Sequence, residues 1–196
     1  PLKPIPYRKR PIESTFTKES NWSSWHIEDQ RFVSSRPDVL NFKTETLTEN
    51  ITVTGKITAH IIASTTATDA DFIVKIIDVY PDFYEEDKTM SGYQLPVTME
   101  VFRGRFRKSF EKPEPFTPNK PEEIIIDLHQ IDHVFLKGHK IMIQIQSTWF
   151  PIIDRNPQNY VPNIFKAKDS DFIKARHTIY CNNKYATYIE LPIVEK

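Results

Sequence analysis

The amino-acid sequence predicts an all-β sandwich, and the prediction rests on two strand patterns and one absence. Ile51, Val53, Ile57, Ala59, Ile61 and Ala63 hold odd positions while Thr52, Thr54, Lys56, Thr58 and His60 hold even ones. This period of two marks a strand with one buried face. Residues 72–80 are apolar on both faces, interrupted only by Lys75 and Asp78, which is how a central strand inside a sandwich reads. No long amphipathic helical pattern accompanies them.

The elements follow in order. Residues 1–27 carry Pro1, Pro4, Pro6 and Pro11 beside Arg8, Lys9 and Arg10, then Trp22 and Trp25, and read as an extended arm or linker that docks through its aromatics. Residues 28–196 form a single domain. A charged segment, 28–38, leads into a strand at 39–44. Further strands are predicted at 51–64, 71–80, 94–103, 122–129, 139–146, 178–180 and 186–193, with a hairpin over 133–139. Three irregular stretches, 82–93, 103–121 and 150–176, interrupt the strands and are the natural places for binding function. No internal repeat of solenoid or propeller period is present.

Composition narrows the function. Lys plus Arg equals Asp plus Glu at 26 each, so no net field draws in nucleic acid or an anionic membrane. Only 4 glycines occur, which argues against glycine-rich phosphate cradles. No apolar run approaches the ~20 residues that span a bilayer and no signal segment opens the chain, so a soluble protein is expected. The lone Cys181 cannot form an internal disulfide or a four-cysteine zinc site. The compartment stays open between a bacterial periplasmic or secreted setting and the cytoplasm. Pro1 in place of Met suggests a piece of a longer polypeptide.

Ser64-Thr65 with Asp69-Ala-Asp-Phe-Ile-Val-Lys-Ile-Ile-Asp-Val-Tyr-Pro-Asp82 resembles the C-terminal jelly-roll domain, galactose-binding-like in fold, of the cocaine-esterase-like (CocE/NonD) serine hydrolases. These include α-amino-acid ester hydrolases, glutaryl-7-aminocephalosporanic acid acylases and, more distantly, X-Pro dipeptidyl peptidases. Glu28-Asp-Gln-Arg-Phe32 with Ser35-Arg-Pro-Asp-Val-Leu40 is similar to the family's first strand, and Phe102-Arg-Gly-Arg-Phe-Arg-Lys-Ser-Phe110 to its arginine-rich crossover. Ile145-Gln-Ser-Thr-Trp-Phe-Pro151, Asp154-Arg-Asn-Pro157 and Val161-Pro-Asn-Ile-Phe165 resemble the ester hydrolase and acylase branch. Lys137 departs from the pattern, which carries proline before Gly138-His139.

The resemblance implies a parent enzyme with a serine nucleophile on a Gly-x-Ser-x-Gly elbow, a strained turn that needs small neighbours. No such motif occurs here, and Ser147 and His177 are only nominal partners for a dispersed arrangement. No catalytic residue and no cofactor are therefore expected within the chain. The resemblance places the triad in an upstream α/β-hydrolase domain, the expected partner, with homo-oligomerisation of the parent.

Metal chemistry has two weak candidates. His129 and His133 are four apart, but that spacing carries helical meaning only, and this region reads as strand and hairpin. Asp69, Asp71 and Asp82 could offer oxygens to Ca²⁺, although aspartates in turns more often bond their own backbone. No metal site is assigned. Arg103, Arg105, Arg107 and Lys108 alternate with Phe102, Phe106 and Phe110, a pattern that polyanion binders share; with no net charge, a strand segment whose guanidinium groups pair with carboxylates of neighbouring loops or a partner domain is expected instead.

The expected function is that of a non-catalytic accessory domain that packs on the hydrolase domain and shapes its substrate cleft. Trp22, Trp25, Trp149, Phe150, Asp154, Arg155, Asn156 and Tyr160 are the expected interdomain or cleft-facing residues. The alternative is a free-standing carbohydrate-binding or adhesion module, in which Trp22, Trp25, Trp149 and Tyr160 would form a stacking platform.

Overall fold

A computed structural model describes residues 26–195. Trp22 and Trp25, with most of the expected arm, lie outside the described residues. A helical turn, α1 (Arg31–Ser34), precedes eight strands: β1 (Val39–Lys43), β2 (Ile51–Thr65), β3 (Asp71–Val79), β4 (Gln94–Arg103), β5 (Glu122–Phe135), β6 (Lys140–Gln146), β7 (His177–Ile179) and β8 (Tyr188–Glu190). One sheet runs β1-β6-β3-β4; the other runs β5-β2-β7, with β8 also on β2. Every pairing is antiparallel.

The two patterns that predict the fold lie at its centre. Val53, Ile57, Ala59, Ile61 and Ala63 of β2 are fully buried against Phe72, Val74 and Ile76 of β3, Ile124, Ile126 and Leu128 of β5, and Ile141 and Ile145 of β6. Burial of this apolar area, at ~25 cal/mol per Å², drives the sheets together. Eight of the nine β3 residues are buried because β3 is central in its sheet and covered on its outer face as well. That cover is a second, smaller core of Val33, Val39, Ile73 and Trp149.

Four expectations need correction. Residues 28–32 do not extend a first strand; 28–30 lead into α1, which takes in Arg31 and Phe32 and whose Val33 plugs the smaller core. Past Arg103 the arginine-rich run leaves the strand for a 3-10 turn over Gly104–Phe106. The last strand shrinks from the expected 186–193 to β8, with Ile193 keeping a single bridge to Val53. β5 does not end at His129: that residue takes a φ of 66°, and the strand continues through a register shift to Phe135.

The expected hairpin over 133–139 is instead a change of sheet, since β5 pairs with β2 whereas β6 pairs with β1 and β3. The departure at Lys137 has a use there, because its backbone N–H donates to Asn50 Oδ1 at 2.8 Å. Proline has no N–H to give.

Gly104 begins the crossover where the chain has no room for a side chain. A Cβ at that position would come 2.6 Å from the Phe116 ring and 2.7 Å from the Ala70 carbonyl oxygen, which accepts the Gly104 N–H. Gly104→Ala is expected to cost about 1–3 kcal/mol through overpacking. An unchanged midpoint in urea unfolding would contradict this packing.

Candidate binding cleft

A buried charge network positions the long segment after Trp149. Asp69 and Asp71 flank the turn into β3, and both are almost fully enclosed. Arg105 forks onto Asp69 Oδ2 through Nε, at 2.9 Å, and Nη2, and its Nη1 donates to the Val161 carbonyl at 3.0 Å. Arg103 donates to Asp71 Oδ2 at 3.2 Å, and Asn156 Nδ2 to Asp71 Oδ1 at 2.8 Å. Burial pushes the Asp71 carboxyl up to about 6 even against these partners. The arginines of the crossover thus hold carboxylates of their own chain: Arg107 meets Glu122 at 2.7 Å and Lys108 meets Glu114 at 2.7 Å.

Backbone bonds complete the anchorage. The Gln158 carbonyl accepts from Thr68 N and Asp69 N, Tyr160 N donates to Thr68 Oγ1, and Ile173 N donates to the Pro157 carbonyl. Asp69 also accepts from Ala70 N, the local bond expected of an aspartate in a turn.

The anchored segment forms one wall of a cleft of about 350 Å³. Asp38, Ser147, Thr148, Arg155, Asn156 and Gln158 line it together with 172–175 and His177. A second pocket of about 280 Å³ shares Asp38, Ser147, Ala175 and His177 and is otherwise mostly apolar, lined by Val39, Leu40, Phe72, Ile145 and Ile179. Burial lowers the His177 imidazole to about 4, so it is neutral at pH 7. No hydrogen bond joins Ser147 to His177 among the described residues, so the cleft holds no nucleophile and base engaged as a pair.

The structure distributes the expected site residues unevenly. Arg155 and Asn156 line the cleft, and Arg155 lies over the Phe172 ring at 4.3 Å. Asp154 is exposed and Phe150 half-buried beside it. Tyr160 turns away, with Arg105 over its ring at 4.6 Å and its hydroxyl donating to the Pro113 carbonyl at 2.9 Å. Trp149 is 3% exposed, and Lys75 Nζ lies 4.3 Å from its ring centroid. A tryptophan so enclosed offers no face to a sugar, which removes it from the stacking platform. His129 meets Glu100 and His133 meets Asp78, each on its own carboxylate. Among the described residues no group of His, Cys, Asp and Glu is arranged to hold a metal, and no helix is long and apolar enough to cross a membrane. Thr148, Gln158, Phe172 and Lys174 join the cleft although no residue-level signal singles them out within the block at 145–151 and the irregular stretch 150–176, because only the fold brings them together.

The X-Pro dipeptidyl-peptidase C-terminal non-catalytic domain family matches residues 9–190. The chain belongs to that family. It is 33% identical over 168 residues to cocaine esterase of Rhodococcus sp. (strain MB1 Bresler), covering 86% of this chain and 28% of the esterase. Among solved structures, an aminopeptidase from the marine sediment archaeon Thaumarchaeota archaeon superposes with a TM-score of 0.91 at 45% identity, over 98% of this chain and 32% of the aminopeptidase. A selenomethionine-labelled α-amino acid ester hydrolase gives 0.90 at 46% identity, over 98% and 31%. This member of the dipeptidyl-peptidase C-terminal family therefore spans about a third of the length of these relatives. Membership of a non-catalytic C-terminal domain family accords with a chain that carries no serine elbow.

Proposed function

We propose that the chain serves a longer CocE/NonD-type hydrolase acting on esters or amides by packing on its α/β-hydrolase portion and shaping one wall of the substrate cleft. The observation that carries this reading is the family match over 9–190, in a chain spanning about a third of its relatives. The contact face is the surface of 150–165, where Phe150, Asp154 and exposed Ile152 and Phe165 are presented on the rigid network below. Trp149 supports this face from behind by filling the smaller core. The expected contribution of Trp22 and Trp25 from the arm over 1–27 falls outside the described residues. Residues 28–196 act as one unit, and the whole enzyme assembles as a homo-oligomer.

Bond breaking belongs to the partner portion, so the isolated chain is expected to be inert. With p-nitrophenyl acetate or an amino-acid methyl ester, it should give no turnover above a Ser147→Ala control. In the full-length hydrolase, Asp154→Ala and Phe150→Ala should alter KM or kcat while the fold is retained. Wild-type kinetics in both would overturn the placement of the face, and turnover by the isolated chain would overturn the accessory role.

A further inference from the structure

We propose that the cleft between 147–158 and 172–177 binds a small amido acid: a carboxylate with a neighbouring N–H donor on an apolar body. Three features of the cleft each select one part of that ligand.

The donor is selected by unpaired polar atoms. Thr148 Oγ1, Gln158 Oε1 and His177 Nδ1 are buried without a hydrogen-bond partner, and so is Gln146 Oε1 in the adjoining pocket. The glutamine amides are held in one sense, because Gln158 Nε2 donates to the Asn156 carbonyl at 3.2 Å and Gln146 Nε2 to the Thr148 carbonyl at 2.9 Å. Their oxygens are thus left as acceptors. A neutral imidazole offers one further acceptor nitrogen. Leaving such groups unpaired costs about 1–3 kcal/mol each, and four of the seven such atoms among the described residues belong to side chains of residues that line the cleft or the adjoining pocket.

The carboxylate is selected by charge. Asp38 is the acidic side chain in the lining, and Arg36 already holds both of its oxygens at 2.9 and 2.8 Å. Lys174, at the exposed rim, has no ion pair among the described residues. Lys174 thus brings a positive charge to the cleft rim. The apolar body is selected by the adjoining pocket, whose Val39, Leu40, Ile145 and Ile179 accept a ring or branched chain. A volume of about 350 Å³ is also far beyond the ~30 Å³ share of one water and within the range of small-ligand sites.

The test is calorimetric titration of the 196-residue chain with N-benzoylglycine. Its methyl ester, which lacks the charge, and 4-phenylbutyrate, which lacks the N–H, are the comparators. Saturable binding of N-benzoylglycine is expected, weaker by about tenfold for each comparator and by about tenfold in Lys174→Gln. Thr148→Val keeps the shape of the wall and removes only a hydroxyl, and it should weaken binding severalfold. Melting curves establish that both variants fold. Absence of saturable binding would mean that the cleft holds water alone, and equal affinity for acid and ester would remove the carboxylate from the proposal. Folded variants that bind like wild type would place the ligand elsewhere; any of these results overturns the inference.

Discussion

Asp69→Ala is expected to lower stability by about 3–5 kcal/mol, because it strands a buried guanidinium. Arg105 is 6% exposed and Asp69 fully buried, and the fork between them joins the β2–β3 turn, the crossover after β4 and the backbone at Val161. Without the carboxylate, Arg105 must either stay buried and unpaired or drag its segment into solvent. Urea unfolding of Asp69→Ala, Arg105→Met and the double variant separates the pair from its surroundings. Removing both charges should cost less than the two single losses added together, since the desolvation penalty leaves with them. Strict additivity, or a loss under about 1 kcal/mol in Asp69→Ala, would contradict the coupling drawn here. Because the network also anchors 156–161, the single variants should loosen the cleft wall before the core yields.

The sandwich was legible in the sequence wherever burial follows a local period. The alternation in β2 and the two-sided apolar run in β3 mark the centres of the two sheets, and both strands sit there. What escaped has a long-range cause. His129, at a positive φ with its N–H on Asp127 Oδ1, has the chemistry of a turn, and only the pairing of β5 with β2 carries the strand past it. Lys75 and Asp78 stand out as interruptions, but their sequence neighbours do not reveal why burial is tolerated. Asp78 meets His133 at 3.0 Å and His139 at 2.8 Å, and Lys75 meets Gln30, all partners distant in sequence.

The cleft was legible in part. Arg155 and Asn156 belong to a block whose residues are specific enough to attract notice, and Ser147 and His177 stand out by chemical type. Trp149 stands out equally and was expected at a docking face, yet it is interior. Its position at the end of the apolar β6 run is compatible with either setting, and the deciding contacts come from α1 and β3. Gln158 had no distinguishing mark, although its backbone holds the turn at Thr68 and Asp69 and its side-chain oxygen is left without a partner at the cleft.

Lys75→Met should remove a rise of stability with pH that the buried lysine gives the wild type. Lys75 is fully buried on the outer face of β3, with Nζ donating to Gln30 Oε1 at 2.8 Å and lying over the Trp149 ring. Among the described residues no carboxylate forms an ion pair with it, and burial lowers its pKa from 10.5 to about 7. Below pH 7 the folded and unfolded chains both carry the proton, and the full penalty of the buried charge is present. Between pH 7 and 10.5 the unfolded chain keeps a proton that the folded chain has released, so wild-type stability rises with pH through that window. The variant lacks this term. Its stability relative to wild type should therefore be highest near pH 6 and fall by an amount on the order of 4 kcal/mol by pH 10. The gain at pH 6 is trimmed by about 1–3 kcal/mol, because Gln30 Oε1 loses its donor. Urea unfolding of both proteins at pH 6, 8 and 10 reads the difference directly. A difference that stays level or grows with pH would mean that Lys75 remains charged throughout, held by the Trp149 ring and Gln30 strongly enough to offset its burial.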